Sequence, residues 1–187
     1  GDREGQQFVG EGLDFSGVSR DIRNVGRWVT MVSPLHFLTS NHAVASQTVI
    51  FHLDNDRDGP TIECAIDHGS GRRIGTSDVL IGMVVPTEEC DTSLVRQYSI
   101  ASPGNYQGDT VVAVGGSRWM GSTNNNLSMR VGHNVMDYAS SADEFRGAGD
   151  LAVYVDDTFS GDVANEDLME GPIRIDHEFR FQNGDSG

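Results

Sequence analysis

The sequence contains no lysine. Its 13 basic residues are all arginine, they stand against 28 acidic ones, and the formal net charge is -15. A chain this acidic has no general attraction for a phosphate backbone or an anionic membrane surface, which argues against a nucleic-acid partner. Long apolar runs are missing too: no stretch of about 18 apolar residues exists, so no membrane-spanning helix is expected. Cysteine is scarce. Cys64 and Cys90 allow one intramolecular disulfide at most, too few for a disulfide scaffold or a cysteine-rich zinc site, and whether they pair stays open. The 6 histidines show neither H-x-x-x-H nor H-E-x-x-H spacing, which disfavours a zinc peptidase. Methionine does not open the chain; Gly1 does, as expected after removal of a leader or excision of a segment.

What is present points to strands. A hydrophobic content of 37% is too high and too evenly spread for a disordered acidic tail, and the length suits one domain or two tightly packed halves. The 23 glycines are scattered between short Val-, Ile- and Thr-rich runs, the pattern of many strands joined by tight turns. Residues 26–33 (GRWVTMVS) and 35–40 (LHFLTS) read as two strands around a turn at Pro34. Residues 47–53 (QTVIFHL) and 61–66 (TIECAI) flank an acidic turn at 54–59, and the apolar run 79–85 ends at Pro86. Further strands are expected at 110–114, 127–131 and 151–155. With no long amphipathic helix between them, the fold class is all-β, a sandwich or a barrel.

Three places carry residues suited to acyl-transfer chemistry. The chain ends in Gly184-Asp185-Ser186-Gly187. Flanking glycines permit a tight turn that exposes a serine and aims backbone N–H groups at one point, which a nucleophile and its oxyanion require. The segment Leu38-Thr39-Ser40-Asn41-His42-Ala43 follows an apolar strand, and Ser77-Asp78 opens the run 79–85. A histidine set between a serine and a carboxylate can take the serine proton while the carboxylate fixes its tautomer, and His, Asp, Ser is one of the chain orders in which that triad occurs. Each piece alone is equally an ordinary turn.

Together, LTSNHA, SDVLIGMVV and the terminal GDSG resemble the trypsin/chymotrypsin family of serine peptidases, especially its divergent bacterial members. Residues 26–40, 108–116 (GDTVVAVGG) and 129–135 (MRVGHNV) resemble further strands of that family, so the resemblance covers nearly the whole chain. It implies a chymotrypsin-like double β-barrel of antiparallel strands: a first barrel over about 1–86, a crossing segment over 87–107, and part of a second barrel over 108–187. It also implies roles: His42 as general base, Asp78 as its orienting carboxylate, Ser186 as nucleophile, the N–H groups of Gly184 and Ser186 as oxyanion hole, and Asp185 as a structural acid within that loop. Gly1-Asp2-Arg3 does not resemble the activated N-terminus that pairs with this acid in some members. Ala43 stands where the family often has a disulfide cysteine, and Asn41 where a small residue is usual. The family also has strands beyond its nucleophile, whereas this sequence stops one residue past Ser186. The second barrel is therefore expected to be incomplete, and the chain as it stands to hydrolyse peptides poorly or not at all.

Two secondary features belong to the same picture. Asp54, Asp56 and Asp58, followed by Gly59, fit the opening of a calcium loop, but position twelve is Ala65 rather than a bidentate glutamate. The choice is between a calcium-stabilised hairpin and a solvated acidic turn; no cofactor is required. Arg180 lies where the resembled family forms the base of its primary pocket. An arginine there would favour an acidic substrate side chain, and the alternative is a surface arginine ending a strand over 173–181. The leading expectation is a secreted or periplasmic bacterial endopeptidase acting on polypeptides. A non-catalytic binding or adhesion module on the same fold, and an acidic calcium-binding β-protein in which GDSG is a chance turn, are the alternatives.

Overall fold

The computed structural model describes residues 10–23, 26–45, 47–56, 58–102, 104, 106, 108–116, 129–135, 138–140 and 151–153. Among them the strands are β1 (Val18–Asp21), β2 (Trp28–Met31), β3 (His36–Ser40), β4 (Thr48–His52), β5 (Thr61–Arg73), β6 (Val79–Val84), β7 (Thr110–Gly116), β8 (Met129–Val135), β9 (Tyr138–Ser140) and β10 (Leu151–Val153). The only helical elements among the described residues are single 3-10 turns at Asn41–Ala43, Leu53–Asn55 and Thr92–Leu94. The all-β expectation holds.

Strands β1 to β6 close into a barrel in the order β1-β2-β3-β6-β5-β4. Every neighbouring pair is antiparallel, and β4 closes the ring on β1 through Arg20↔Ile50 and Asp21↔Val49. Closure removes the unpaired edges that an open sheet of this size would leave. Strand β6 inserts between β3 and β5, so residues far apart in sequence become neighbours.

The interior follows from alternation. Val29 and Met31 on β2, Phe37 on β3, Val49 and Phe51 on β4, Ile62, Cys64 and Ile66 on β5, and Val84 on β6 are all buried in one core cluster. They recur every second residue because successive side chains of a strand point to opposite faces. Thr39 takes an inward position as well, and its hydroxyl is satisfied by donating to the Trp28 carbonyl at 2.7 Å. Gly82 pairs with Phe37 across β3 and β6. A Cβ at Gly82 would lie 2.6 Å from Phe37 Cζ, so the missing side chain makes room for the ring.

Two parts of the barrel escape the sequence pattern. Strand β1 (VSRD) buries Ser19 and Asp21; Ser19 donates to the Ile50 carbonyl at 2.6 Å and Asp21 Oδ1 accepts the Arg23 N–H at 2.8 Å. Polar inward positions paired in this way carry no hydrophobic alternation to read. Strand β5 runs on to Arg73 instead of ending near residue 66, through a register shift between Asp67 and Arg72. This extension is largely exposed, so burial imposes no pattern on it.

Beyond β6 the chain stays with the barrel. Cys90 is disulfide-bonded to Cys64 on β5, which settles the pairing left open by the sequence. The Thr92 hydroxyl donates to the Pro34 carbonyl. The Arg96 N–H donates to Ser16 Oγ at 2.9 Å, and the Tyr98 N–H to the Met31 carbonyl at 2.9 Å. Gly17 permits this approach, because a Cβ there would lie 1.8 Å from the Arg96 carbonyl oxygen. Residues 90–98 thus form a strap across the barrel wall.

Tyr98 gives the strap a pH dependence. Its hydroxyl donates to the Asp14 carbonyl at 2.8 Å, and burial, then the nearby Asp14 charge, push the phenol up to about 12. The folded state therefore holds this proton more tightly than the unfolded chain, whose tyrosines titrate near 10. That stabilisation is complete below about pH 10 and is lost as pH rises through about 12. Tyr98→Phe is expected to flatten the fall of the urea midpoint between about pH 10 and 12 relative to the unaltered protein. Lysine, which also titrates in that window, is absent from the sequence, and the other tyrosines are common to both proteins, so an equal slope in both would remove Tyr98 as the cause.

The chain divides into two compact units, one containing the barrel from Gly12 to Ala101, the other containing Ser102–Ala113 and strands β9 and β10. Strands β7 and β8 form a two-stranded sheet, and β9 and β10 another, antiparallel through Leu151↔Ser140 and Val153↔Tyr138. The closed barrel among the described residues is the one built by β1 to β6.

Candidate functional site

Strand pairing brings two of the three chemistry-bearing segments together. Strands β3 and β6 run antiparallel in the register His36↔Met83 to Ser40↔Val79. The end of β3 therefore abuts the start of β6, and the next rung places Asn41 opposite Asp78. The Asn41 N–H continues the ladder by donating to the Asp78 carbonyl at 2.6 Å. The 3-10 turn Asn41–Ala43 then folds His42 over that rung.

The result is a doubly made contact. The His42 backbone N–H donates to Asp78 Oδ1 at 3.1 Å, and His42 Nδ1 is hydrogen-bonded to Asp78 Oδ2. An ionised carboxylate only accepts, so Nδ1 carries a proton, and in the neutral ring Nε2 then keeps its lone pair. One oxygen of Asp78 fixes the turn and the other fixes the ring. The two side chains are 56% and 40% exposed, so the pair is open to water. Exposed ion pairs add little stability, and what this one supplies is orientation and tautomer.

Asp78 is the last residue of a tight loop between β5 and β6. The Ile74 N–H donates to the Val79 carbonyl at 2.8 Å, while the Ser77 N–H and hydroxyl both donate to the Ile74 carbonyl, at 3.1 and 2.6 Å. Gly75 at the turn has a φ of +56, in the left-handed region glycine tolerates best. Arg73 lies across the loop: its Nε donates to the Ser77 carbonyl at 2.6 Å and its Nη2 to the Thr76 carbonyl. Nothing in the sequence singled out Arg73, which lies on the exposed extension of β5, where burial imposes no pattern. Ser40, on β3 just before the site, has a buried Oγ with no partner among the described residues.

The remaining candidates fall in two groups. Gly184, Asp185, Ser186 and Arg180 lie outside the described residues, as does the strand expected at 173–181. Asp54, Asp56 and Asp58 lie in the β4–β5 connection, where Asp54 and Asn55 have φ of 56 and 57. Asp56 Oδ1 accepts the Asp58 N–H at 3.0 Å. The Asn55 side chain is taken up by residues 13–15, accepting from the Phe15 N–H at 2.7 Å and donating to the Leu13 carbonyl at 2.6 Å. Among the described residues, no three His, Cys, Asp or Glu side chains gather in a way that could hold a metal ion. Away from the site, His36 Nδ1 is hydrogen-bonded to Ser33 Oγ at 2.8 Å, a structural use of the ring. No helix among the described residues is long and apolar enough to cross a membrane.

No protein-family model matches this chain, and no curated protein matches it significantly.

Proposed function

We propose that the chain is a serine endopeptidase of the trypsin/chymotrypsin type, with His42 as general base, Asp78 as its orienting carboxylate and Ser186 as nucleophile. The observation that carries this reading is the His42–Asp78 pairing, in which the carboxylate holds both the ring Nδ1 and the backbone N–H of the same histidine. Nε2 is left able to accept a proton, the state a base must be in before attack. The closed six-stranded barrel agrees with the first half of the double barrel that the resemblance implies.

In the proposed reaction Ser186 Oγ forms a bond to the peptide carbonyl carbon as its proton passes to His42 Nε2. The N–H groups of Gly184 and Ser186 meet the oxyanion, and Asp185 keeps their loop in shape. The imidazolium then protonates the leaving amine as the C–N bond breaks, and water resolves the acyl-enzyme by the reverse path. The chemistry asks for no metal. A disulfide between buried cysteines fits an oxidising compartment, hence export from the cell. Arg180 at the pocket base would direct cleavage to acidic side chains.

A second reading, a non-catalytic binding module on the same fold, is favoured by one observation: Asp78 is 40% exposed, whereas a carboxylate that orients a catalytic base works best shielded from water. A fluorophosphonate probe separates the two. Applied to the protein expressed with any sequence that follows Gly187 in its gene, it is expected to label Ser186. His42→Ala should cut the labelling rate at least about 10³-fold, since an unassisted serine hydroxyl is a poor nucleophile. Absence of label, or label that survives Ser186→Ala, would leave the binding module as the reading.

A further inference from the structure

We infer that Arg73 is a positioning residue for the His42–Asp78 pair, acting by clamping the loop that presents Asp78; the inference rests on the proposed function for its kinetic consequence. The carboxylate sits at the end of the β5–β6 loop, whose own hydrogen bonds close on Ile74 and do not use the carbonyls of Thr76 and Ser77. Those two consecutive carbonyls are the ones Arg73 takes, Ser77 through Nε at 2.6 Å and Thr76 through Nη2.

The choice of partner is informative. The protein carries 28 acidic residues, yet among the described residues Arg73 makes no ion pair. Its planar fork instead bridges two adjacent peptide oxygens, a geometry a point charge on a flexible stem does not reproduce. Its position in the barrel completes the device: Arg73 pairs with Leu80 across β5 and β6, so its backbone belongs to the ladder while its side chain spans the loop. The peptide that joins Ser77 to Asp78 is thereby tied to a strand.

The consequence is for geometry at His42. The pair is open to water, so beyond the bonds that tie Asp78 to the Asn41–His42 turn the carboxylate depends on the loop conformation for its position. Freed from Arg73, the loop would let Asp78 swing away from Nδ1, and the imidazole would lose the partner that selects its tautomer. A displacement of about 1 Å at a catalytic group can cost 10²-fold in rate.

Arg72 provides an internal control. It has the same charge and adjoins Arg73 on the same strand, but its Nη1 donates to the carbonyls of Gly69 and Gly71, away from the Asp78 loop. The experiment compares Arg73→Ala, Arg73→Lys and Arg72→Ala in the full-length protein by two readouts. The first is the ¹⁵N shifts of the His42 ring nitrogens, which report the Nδ1–H tautomer without reference to activity. The second is peptide hydrolysis, resolved into kcat and KM.

The unaltered protein is expected to show the Nδ1–H tautomer. Arg73→Ala should shift it toward Nε2–H and lower kcat about 10- to 100-fold with KM within about twofold. Arg73→Lys should lie between, and Arg72→Ala should match the unaltered protein in both readouts. The clamp is overturned if Arg73→Ala leaves the tautomer unchanged, if Arg72→Ala shifts it equally, or if the unaltered protein lacks the Nδ1–H form. If the unaltered protein hydrolyses nothing, the proposed function fails while the tautomer comparison still decides the role of Arg73. Should Arg73→Ala not fold, the comparison of Arg73→Lys with Arg72→Ala decides it by the same criterion.

Discussion

Asp78→Asn is expected to lower kcat about 10⁴-fold at neutral pH while leaving the fold intact. The asparagine keeps the size of the side chain, and its carbonyl oxygen can still accept the His42 N–H where Oδ1 does now, at 3.1 Å. The other position then holds an NH2 group facing the ring, which donates where the carboxylate accepted. Nδ1 must become the acceptor, the proton moves to Nε2, and the nitrogen that should take the serine proton is already protonated. Because the pair is exposed, the melting temperature should stay within about 3 °C of the unaltered value. A kcat within tenfold would show that His42 does not depend on Asp78, and the proposed mechanism would lose its orienting carboxylate. Thermal melts and steady-state assays on one preparation separate loss of chemistry from loss of structure.

Removing the disulfide should produce the largest loss of stability. Cys64 and Cys90 close a loop with a sequence separation of 26. The chain-entropy relation gives a loop of this size a stabilisation of about 3.5 kcal/mol. For a chain of this length that corresponds to a melting temperature lower by roughly 7–14 °C. The cross-link joins β5, in the barrel core, to the strap. Without it the strap depends on the Thr92–Pro34, Arg96–Ser16 and Tyr98–Met31 hydrogen bonds. The double variant Cys64→Ala/Cys90→Ala tests this by thermal unfolding, and alanine avoids burying new hydroxyls where both cysteines are buried. A drop smaller than about 3 °C would mean that those hydrogen bonds hold the strap unaided. The effect belongs to stability alone, because the cross-link lies beyond the end of β6 opposite to Asp78.

The two variants sample different kinds of information in the sequence. The identities of His42 and Asp78 could be singled out from short motifs, since each follows or opens an apolar strand. That they touch was implied by the family resemblance, not by any local pattern. Their contact across 36 positions depends on β6 inserting between β3 and β5, a pairing that no local pattern specifies. The cysteines behave alike: their number limits them to one bond, and only the path of the strap brings their sulfurs together. Arg73 is a third case. It was invisible because the extension of β5 is exposed, and an exposed strand carries no alternation to betray it. Strand β1 was invisible for the opposite reason, since its buried Ser19 and Asp21 are satisfied by hydrogen bonds and break the apolar period.

What the sequence determined by itself is therefore local and periodic. The net charge of -15 argued against a nucleic-acid partner, and the lack of long apolar runs against a membrane-spanning helix. Short apolar and β-branched runs bounded by turn residues marked β2, β3, β4, β6 and the first half of β5, because a strand must take apolar side chains out of water. The tertiary structure alone decided the strand order, the closure of β4 on β1, the Cys64–Cys90 bond and the placement of Arg73 across the loop that carries Asp78. The reason is physical: hydrophobic patterning says which face of a strand is buried, and it does so equally for every partner that could cover it. Which partner does so is settled by the barrel as a whole, through register, turn geometry and the one closed arrangement that leaves no strand unpaired.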